Sequence, residues 1–226
     1  MLPASLPKIE GLSVAGYHQP CREIGGDYYD AFRAQDGSLV MVVADNEGKG
    51  IAGALLMVQT RSLLHVFSNT VGGTKTVVQA LNRELVTGGY PIRFVTMLLC
   101  RLNLTSRTLT FCNAGHCPAF VVHQGQITAL NAGGLVLGIE ESVTYDEGSI
   151  QLESGDTVLL YTDGITEAFN PESEVFGFDR LRNALLSAAR SESAEEVLAA
   201  VNAAVADFRM GRGCSDDIAM LCVRVL

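Results

Sequence analysis

Four aspartates of this chain stand at the edges of apolar segments, where a carboxylate can act as a turn-former or as a metal ligand. They are Asp27 in GGDYYD, Asp45 in VVAD, Asp163 in LLYTDG and Asp216 in CSDD. Taken singly, an aspartate at a strand end is usually a turn residue, because its side chain bonds to its own turn. Neighbouring strands would bring all four carboxylates to one rim of the sheets, where only a bound cation offsets their repulsion. Oxygen ligands of this kind favour Mg²⁺ or Mn²⁺ over zinc.

The segment around Asp45 predicts a buried strand that leads into a helix. The run LVMVVAD is continuously apolar and has the length of a strand covered on both faces. After a turn at residues 48–50, the segment IAGALLMVQTRSLLHVF keeps apolar residues at helical spacing, which predicts a helix to about Ser68. The segment TKTVVQALNRELV predicts a second helix, with Thr74 as its N-cap, that ends before Gly88.

The remaining sequence predicts several strands, two more helices and a final strand. Segments rich in Val, Thr, Leu and Phe, separated by short turns, indicate strands in RFVTMLLCRLNL, TLTFCNAG, PAFVVHQGQITAL and DTVLLYTDG. Helices follow in DRLRNALLSAARS and in SAEEVLAAVNAAVADF, which has a capping box at Ser193 and Glu196, and DDIAMLCVRV is the last strand. Strands joined by turns are antiparallel neighbours and helices must cover sheet faces, so we expect a single α+β domain over residues 1–226.

Composition excludes several classes of protein. The net charge of -9 and the lack of clustered Lys and Arg argue against a nucleic-acid partner. No apolar run reaches the ~18–20 residues of a membrane span, and the N-terminal segment has prolines and charges where a signal peptide needs an apolar core. The six cysteines include no CxxC pair, which favours a reduced cytoplasmic protein over a disulfide scaffold.

Eight motifs in order give the chain a resemblance to a known family. They are EIGGDYYD, VVADNEGKGIAGALLM, FVTMLLCRLN, FCNAGHCPAFVV, GGLVLGI, LESGDTVLLYTDGITEAFN, FGFDRL and SDDIAMLCVRV. This order resembles the bacterial SpoIIE-type branch of the metal-dependent (PPM) protein phosphatases, relatives of protein phosphatase 2C, from about Leu6 to the carboxyl terminus. The resemblance implies a four-layer α-β-β-α sandwich of two packed, mainly antiparallel sheets flanked by helices.

The resemblance also implies a centre of two Mn²⁺ or Mg²⁺ ions and a role for each acidic residue. Asp45 matches the ligand that bridges both ions, and Asp27 matches a further ligand of one of them, to which the backbone carbonyl of Asn46 contributes an oxygen. The ligands of the other ion correspond to Asp163 and Asp216. For Asp217 the resemblance allows either direct ligation or, as we favour, an orienting role.

The chemistry of such a centre agrees with the residue types. Two divalent cations can activate a water for attack on phosphorus while they neutralise the phosphoryl oxygens, so no covalent nucleophile is needed. The chain lacks the CxxxxxR element of a cysteine phosphatase. It departs from the usual pattern of the family at Asn46 and Glu47, and for Glu47 we favour solvent exposure or a helix cap over a role at the metals.

Three further residues suggest a role at the site, and each also has a simpler or competing explanation. His116 in NAGHCP could donate a proton, although a turn between strands explains the motif better. Arg22 could clamp a phosphate or lie in a solvated loop. Lys49 suggests a phosphate-binding P-loop, but that motif needs a glycine where Val43 stands and Ser or Thr where Gly50 stands, so this interpretation fails.

The resemblance implies a phosphoserine/phosphothreonine protein phosphatase that acts on a phosphorylated bacterial regulator such as an anti-sigma-factor antagonist. A catalytically weak, partner-binding pseudophosphatase is the alternative, against which the intact aspartates argue. Another two-metal hydrolase would normally add histidine ligands, and the four histidines lack that spacing. An upstream sensor or receiver domain and a homodimer remain open, as does the substrate, whose recognition we expect in residues 131–149 and 170–178.

Overall fold

A computed structural model describes residues 2–21, 25–46, 51–88 and 94–226, with only the backbone described at positions 51 and 52. The strands are β1 (Leu12–Gln19), β2 (Tyr28–Arg33), β3 (Leu39–Asn46), β4 (Val95–Leu102), β5 (Thr108–Ala114), β6 (Ala119–His123), β7 (Gln126–Leu130), β8 (Gly133–Gly134), β9 (Gly148–Gln151), β10 (Thr157–Tyr161) and β11 (Ile218–Val225). The helices are α1 (Ile51–Thr70), α2 (Thr74–Thr87), α3 (Gly177–Ala188) and α4 (Ala194–Arg209).

The strands form two sheets. The first sheet has the order β1-β11-β10-β6-β7, and all its described pairings are antiparallel. The second sheet has the order β2-β3-β4-β5-β8, with β9 also paired antiparallel to β5 and with β5 and β8 parallel. The two sheets pack face to face, and the predicted α+β sandwich of two mainly antiparallel sheets is confirmed.

The alternation of side chains along β3 shows how the four layers form. Met41 and Val43 point into the core between the sheets, where they meet residues of the first sheet such as Leu160. Val40 and Val42 point the other way and pack under α1 and α2. Successive side chains of a strand face opposite sides, and both sides of β3 are covered, so its sequence is apolar throughout. Helices α3 and α4 cover the outer face of the first sheet in the same way.

Two helix starts test the predicted caps. At α2 the prediction of Thr74 as N-cap is wrong: Gly73 is the N-cap and provides no side chain, and Thr74 is the first helical residue. The carboxylate of Glu147 takes over the capping role by accepting hydrogen bonds from the Thr74 hydroxyl and from the backbone N–H of Lys75. At α4 the N-cap half of the predicted capping box is confirmed, because the Ser193 hydroxyl accepts a hydrogen bond from the backbone N–H of Glu196. The Glu196 carboxylate accepts from the backbone N–H of Glu192 rather than from that of Ser193.

Two strands near the amino terminus complete the sheets. The strand β1 is an edge strand that pairs with β11 from Leu12 opposite Val225 to Gln19 opposite Ile218. The strand β2 pairs with β3 from Tyr28 opposite Ala44 to Arg33 opposite Leu39. None of the helices in the described residues combines the length and the hydropathy that a bilayer span requires.

Candidate metal centre

The second sheet supplies Asp27 and Asp45. Tyr28 pairs with Ala44 in the antiparallel ladder of β2 and β3, so Asp27, one residue before β2, lies opposite Asp45. Their carboxyl groups are in hydrogen-bonding contact. By the alternation of side chains, both aspartates lie on the face that packs against the first sheet.

The first sheet supplies Asp163 and Asp216. Asp163 follows the end of β10, and Asp216 precedes the start of β11, the strand beside it. The charges of both residues act on Asp45, and the charge of Asp163 also acts on Asp27. The two sheets therefore bring the four aspartates singled out in the sequence to one rim of the sandwich.

Burial and mutual repulsion raise the pKa values of Asp27 and Asp45. Burial raises the pKa of Asp27 to about 9, and the neighbouring carboxylates Asp45, Asp217 and Asp163 add to the rise. Burial likewise raises the pKa of Asp45 to about 7, with Asp163 and Asp216 as the next largest causes. Asp27 and Asp45 are therefore buried beside further negative charges, which is the electrostatic setting in which a bound cation is stabilised.

The donor set fits hard divalent cations, although it is not yet arranged around one. Carboxylate and carbonyl oxygens are the ligands that Mg²⁺ and Mn²⁺ prefer. In the described part of the chain, no three His, Cys, Asp or Glu side chains are already grouped as a metal site. Asp27 is engaged in hydrogen bonds with Thr162 and Asp45. Cation binding would exchange these hydrogen bonds for metal contacts and release protons.

Thr162 links the two halves of the group. This fully buried residue of the first sheet donates a hydrogen bond from its hydroxyl to Asp27 Oδ2, at 2.5 Å, across the gap between the sheets. The same hydroxyl accepts a hydrogen bond of 2.8 Å from the backbone N–H of Ala219. Since the donor to Thr162 is fixed by β11, the hydroxyl proton is directed at Asp27 and orients its carboxyl group.

His116 is a structural link rather than a proton donor open to solvent. Its Nε2–H donates to the carbonyl oxygen of Tyr161 at 3.1 Å, so Nδ1 is the acceptor and takes a hydrogen bond of 2.7 Å from the Thr96 hydroxyl. Burial lowers the pKa of His116 to about 4, which keeps the ring neutral. Thr96 pairs with Asp45 and Tyr161 lies two residues before Asp163, so the ring joins the two sheets directly behind the candidate ligands.

Asp217 holds the loop that precedes Asp27. One carboxylate oxygen accepts a hydrogen bond of 2.6 Å from the backbone N–H of Cys21, and the other accepts one of 2.9 Å from Gly26. A Cβ on Gly25 would lie 2.6 Å from Asp217 Oδ2, so only glycine allows this approach. Both oxygens of Asp217 are thus committed to backbone donors, which favours the orienting role over direct ligation.

Asn46 ends β3 with a side chain turned toward the same loop. Its amide donates to the carbonyl oxygen of Gly26 at 3.3 Å, while its Oδ1 is buried and has no hydrogen-bond partner among the described residues. The predicted metal contact through the Asn46 carbonyl stays a prediction. The expectations for Glu47, for the glycines and Lys49 after it, and for Arg22 fall outside the described residues.

Sequence reasoning missed three residues of this region. Thr162 and Cys117 lie beside the aspartates, and Glu167 follows Asp163 by one turn, with its backbone N–H bonded to the Asp163 carbonyl at 2.8 Å. Burial, together with Asp163 and Asp216, raises the pKa of Glu167. A signal existed for Thr162, which directly precedes a predicted ligand at the end of a buried strand.

Comparison with known proteins shows the family to which this chain belongs. The profile of Stage II sporulation protein E (SpoIIE) matches residues 35–226. The chain belongs to the SpoIIE family. The chain is 30% identical to Protein IcfG of Synechocystis sp. over 250 residues and 32% identical to Phosphoserine phosphatase RsbU of Bacillus subtilis over 169 residues. These matches cover 98% and 74% of this chain but only 39% and 50% of the two relatives, so the SpoIIE-family segment corresponds to half of those proteins or less.

Solved structures place the fold among the PP2C phosphatase domains. The RsbU and RsbW domains of Rv1364c from Mycobacterium tuberculosis align with a TM-score of 0.84 at 24% identity, over 98% of this chain and 63% of that one. The PP2C phosphatase domain of SpoIIE from Bacillus subtilis aligns at 0.81 and 21% identity, over 95% and 63%. RsbX in complex with magnesium aligns at 0.75 and 17% identity, over 98% and 99%. The predicted four-layer α-β-β-α sandwich is therefore confirmed by the structure of this chain and by its structural relatives.

Proposed function

We propose that this chain is a divalent-metal-dependent phosphoserine/phosphothreonine protein phosphatase whose substrate is a phosphorylated regulatory protein. The observation that carries the proposal is the convergence of Asp27, Asp45, Asp163 and Asp216, two from each sheet, in which burial and the neighbouring carboxylates raise the pKa values of Asp27 and Asp45. The family membership and the magnesium complex of a structural relative support it.

The proposed ligand sets are those that the family resemblance implies. Asp45, at the centre of the group, would contact both ions; Asp27 and the Asn46 carbonyl would complete one site, and Asp163 and Asp216 the other. When bound, the pair of Mn²⁺ or Mg²⁺ ions supplies an activated water and neutralises charge on the phosphoryl oxygens.

The chain's own residues prepare this site in three ways. Thr162 fixes the orientation of the Asp27 carboxyl group. Asp217 holds the backbone at Cys21 and at Gly26, the residue directly before Asp27. His116 ties the strand beside Asp45 to the strand before Asp163. Fixed ligand positions matter because a misplacement of ~1 Å at a catalytic centre can cost about 10²-fold in rate.

The surface around the site suits a protein substrate. Leu137 pairs with Val95, which in turn pairs with Asn46, so the part of residues 131–149 around Leu137 lies beside the end of β3 that carries Asp45. Leu135 and Ile139, on either side of Leu137, are exposed apolar side chains. Apolar groups next to a phosphate-binding rim offer contact area to a folded phosphoprotein. An anti-sigma-factor antagonist is the regulator we propose, as the family resemblance implies. The relative named phosphoserine phosphatase is in line with a phosphoserine in that substrate.

A hydrolysis assay with paired metal-binding measurements tests the proposal. The wild-type chain, Asp45→Asn and the charge-matched control Asp179→Asn, an exposed position on α3, are assayed with p-nitrophenyl phosphate and with a phosphoserine peptide. We expect activity with Mn²⁺ or Mg²⁺, none with chelator, and loss of both activity and calorimetric Mn²⁺ binding in Asp45→Asn alone. Hydrolysis that survives chelator or Asp45→Asn refutes the mechanism. Mn²⁺ binding without hydrolysis of either phosphate would instead support a pseudophosphatase.

A further inference from the structure

Two cysteines from opposite ends of the chain meet beside the candidate metal centre. Cys21 follows β1 and Cys214 precedes β11, and the pairing of Gln19 with Ile218 brings these two segments together. The Cys21 thiol donates to the carbonyl oxygen of Cys214 at 3.0 Å, and the Cys214 thiol donates to the carbonyl oxygen of Asp216 at 3.0 Å. The Cys21 side chain is also close enough to Cys214 to act electrostatically on its thiol.

This pair is more accessible than three of the other cysteines. Both members are free thiols and both are partly exposed, as is Cys117, whose thiol donates to the carbonyl oxygen of Tyr161. Cys100, Cys112 and Cys222 are buried in the apolar cores. Neither thiol has a role in the proposed hydrolysis. A disulfide needs two sulfurs brought within bonding reach without movement of the backbone elements. The contact of 3.0 Å between the Cys21 sulfur and the Cys214 carbonyl oxygen already places the two residues side by side.

We propose that Cys21 and Cys214 are a modification site, at which a peroxide oxidises the two thiols to a disulfide that reversibly inhibits the enzyme. In the first step the Cys21 sulfur attacks one oxygen of the peroxide, the O–O bond breaks, and hydroxide leaves and takes up the thiol proton as water, which gives a sulfenic acid. In the second step the Cys214 sulfur attacks the sulfenic sulfur, the S–O bond breaks and a second water leaves. The two thiols lose two electrons and two protons in all, and the peroxide is reduced to water.

The position of the disulfide explains why it would inhibit. Its formation removes both thiol hydrogen bonds, including the bond from Cys214 that holds the carbonyl of Asp216. It also pulls on Cys21, whose backbone N–H is bonded to the carboxylate of Asp217. Asp216 is a proposed ligand, and displacement of catalytic groups by ~1 Å is costly, so we expect a loss of roughly tenfold or more in turnover.

Peptide mapping tests the pairing without reference to activity. The reduced chain is treated with hydrogen peroxide in chelator, quenched with catalase, and digested under non-reducing conditions. We expect a cross-linked peptide that contains Cys21 and Cys214, lighter by two hydrogens, which dithiothreitol separates. Free thiols, sulfinic products or a different pairing at this step overturn the proposal, whether or not the chain proves to be a phosphatase.

Activity then tests the inhibition. Each variant is compared with itself before and after peroxide, with Mn²⁺ restored: wild type, Cys21→Ser, Cys214→Ser, and Cys117→Ser as the matched control for a partly exposed thiol outside the pair. Wild type and Cys117→Ser should lose activity and regain it with dithiothreitol, while Cys21→Ser and Cys214→Ser should resist. Equal inactivation of Cys21→Ser and wild type would show that peroxide acts elsewhere.

Discussion

Two buried aspartates three residues apart, Asp27 and Asp30, lie on opposite faces of the same strand segment. Their pKa values are shifted in opposite directions. Asp27 is 8% exposed and Asp30 is 1% exposed, so burial opposes the charged form of both. The pKa of Asp27 is nonetheless raised to about 9, whereas the pKa of Asp30 is lowered. The difference must come from what each carboxylate faces.

Asp30 faces α1, which supplies donors and positive charge. Burial acts to raise its pKa, but hydrogen bonds from His65 and Tyr28 and the charge of Arg61 outweigh that effect. The three donor atoms lie 2.8, 2.8 and 3.2 Å from the same oxygen, Oδ2. Asp27 faces the first sheet, where it meets one hydroxyl and further carboxylates. The fold supplies its own counter-charge at Asp30, whereas at Asp27 we propose that a bound cation supplies it.

The substitution Asp27→Asn should abolish most of the activity without destabilising the fold. We expect kcat/KM with Mn²⁺ to fall by at least about 10²-fold, because a ligand is lost. Thermal unfolding in chelator should show no loss of stability, because the amide avoids the burial of a repelled carboxylate and can still accept from Thr162. Activity within a few-fold of wild type would remove Asp27 from the proposed ligand set.

The substitution Thr162→Val should reproduce part of that loss through position alone. Without its hydroxyl donor Asp27 loses its fixed orientation, and we expect Mn²⁺ affinity to fall about 10–100-fold. The N–H of Ala219 loses its partner as well, which should cost about 1–3 kcal/mol in the free energy of unfolding. Calorimetry and urea unfolding measure the two effects. Thr162→Ser should restore Mn²⁺ affinity, and a failure of this rescue would contradict the positioning role.

The sequence predicted this architecture where its signals are local. Long apolar runs such as that of β3 and the periodicity of α4 were enough for most strands and helices. The strand β1 was not predicted because it is an edge strand, mostly half-buried, with no continuous apolar run. The cap at Thr74 was predicted wrongly because Glu147, far along the chain, provides the acceptor instead.

The site could be predicted only in outline for the same reason. Aspartates at strand ends indicated the rim, but the contacts that organise them span 135 residues for Thr162 and Asp27 and 196 residues for Asp217 and Cys21. No local pattern encodes such pairs. His116 remained ambiguous in the sequence because its two ring partners belong to different sheets, and only their packing shows that the ring is enclosed.

The substitution Asp30→Asn should destabilise the fold without removing the activity. It weakens hydrogen bonds to a charged acceptor, so we expect the free energy of unfolding to fall by about 1–3 kcal/mol, while kcat of the folded protein changes little. Urea unfolding measures the loss, with Asp179→Asn as the control for removal of one exposed negative charge. An Asp30→Asn protein of wild-type stability would mean that the contacts with α1 do not stabilise the fold.

The difference in unfolding free energy between wild type and Asp30→Asn should also depend on pH. The folded state lowers the pKa of Asp30 below its ordinary value of 3.8, so its stabilising effect is complete above that value and is lost as the pH falls through the lower, folded pKa. The gap in unfolding free energy between wild type and Asp30→Asn should therefore be constant near about pH 6 and shrink toward about pH 3. Urea unfolding of both proteins at several pH values measures it. A gap that stays constant into the acid range would mean that the carboxylate charge, which α1 is placed to neutralise, contributes nothing to the stability of this face.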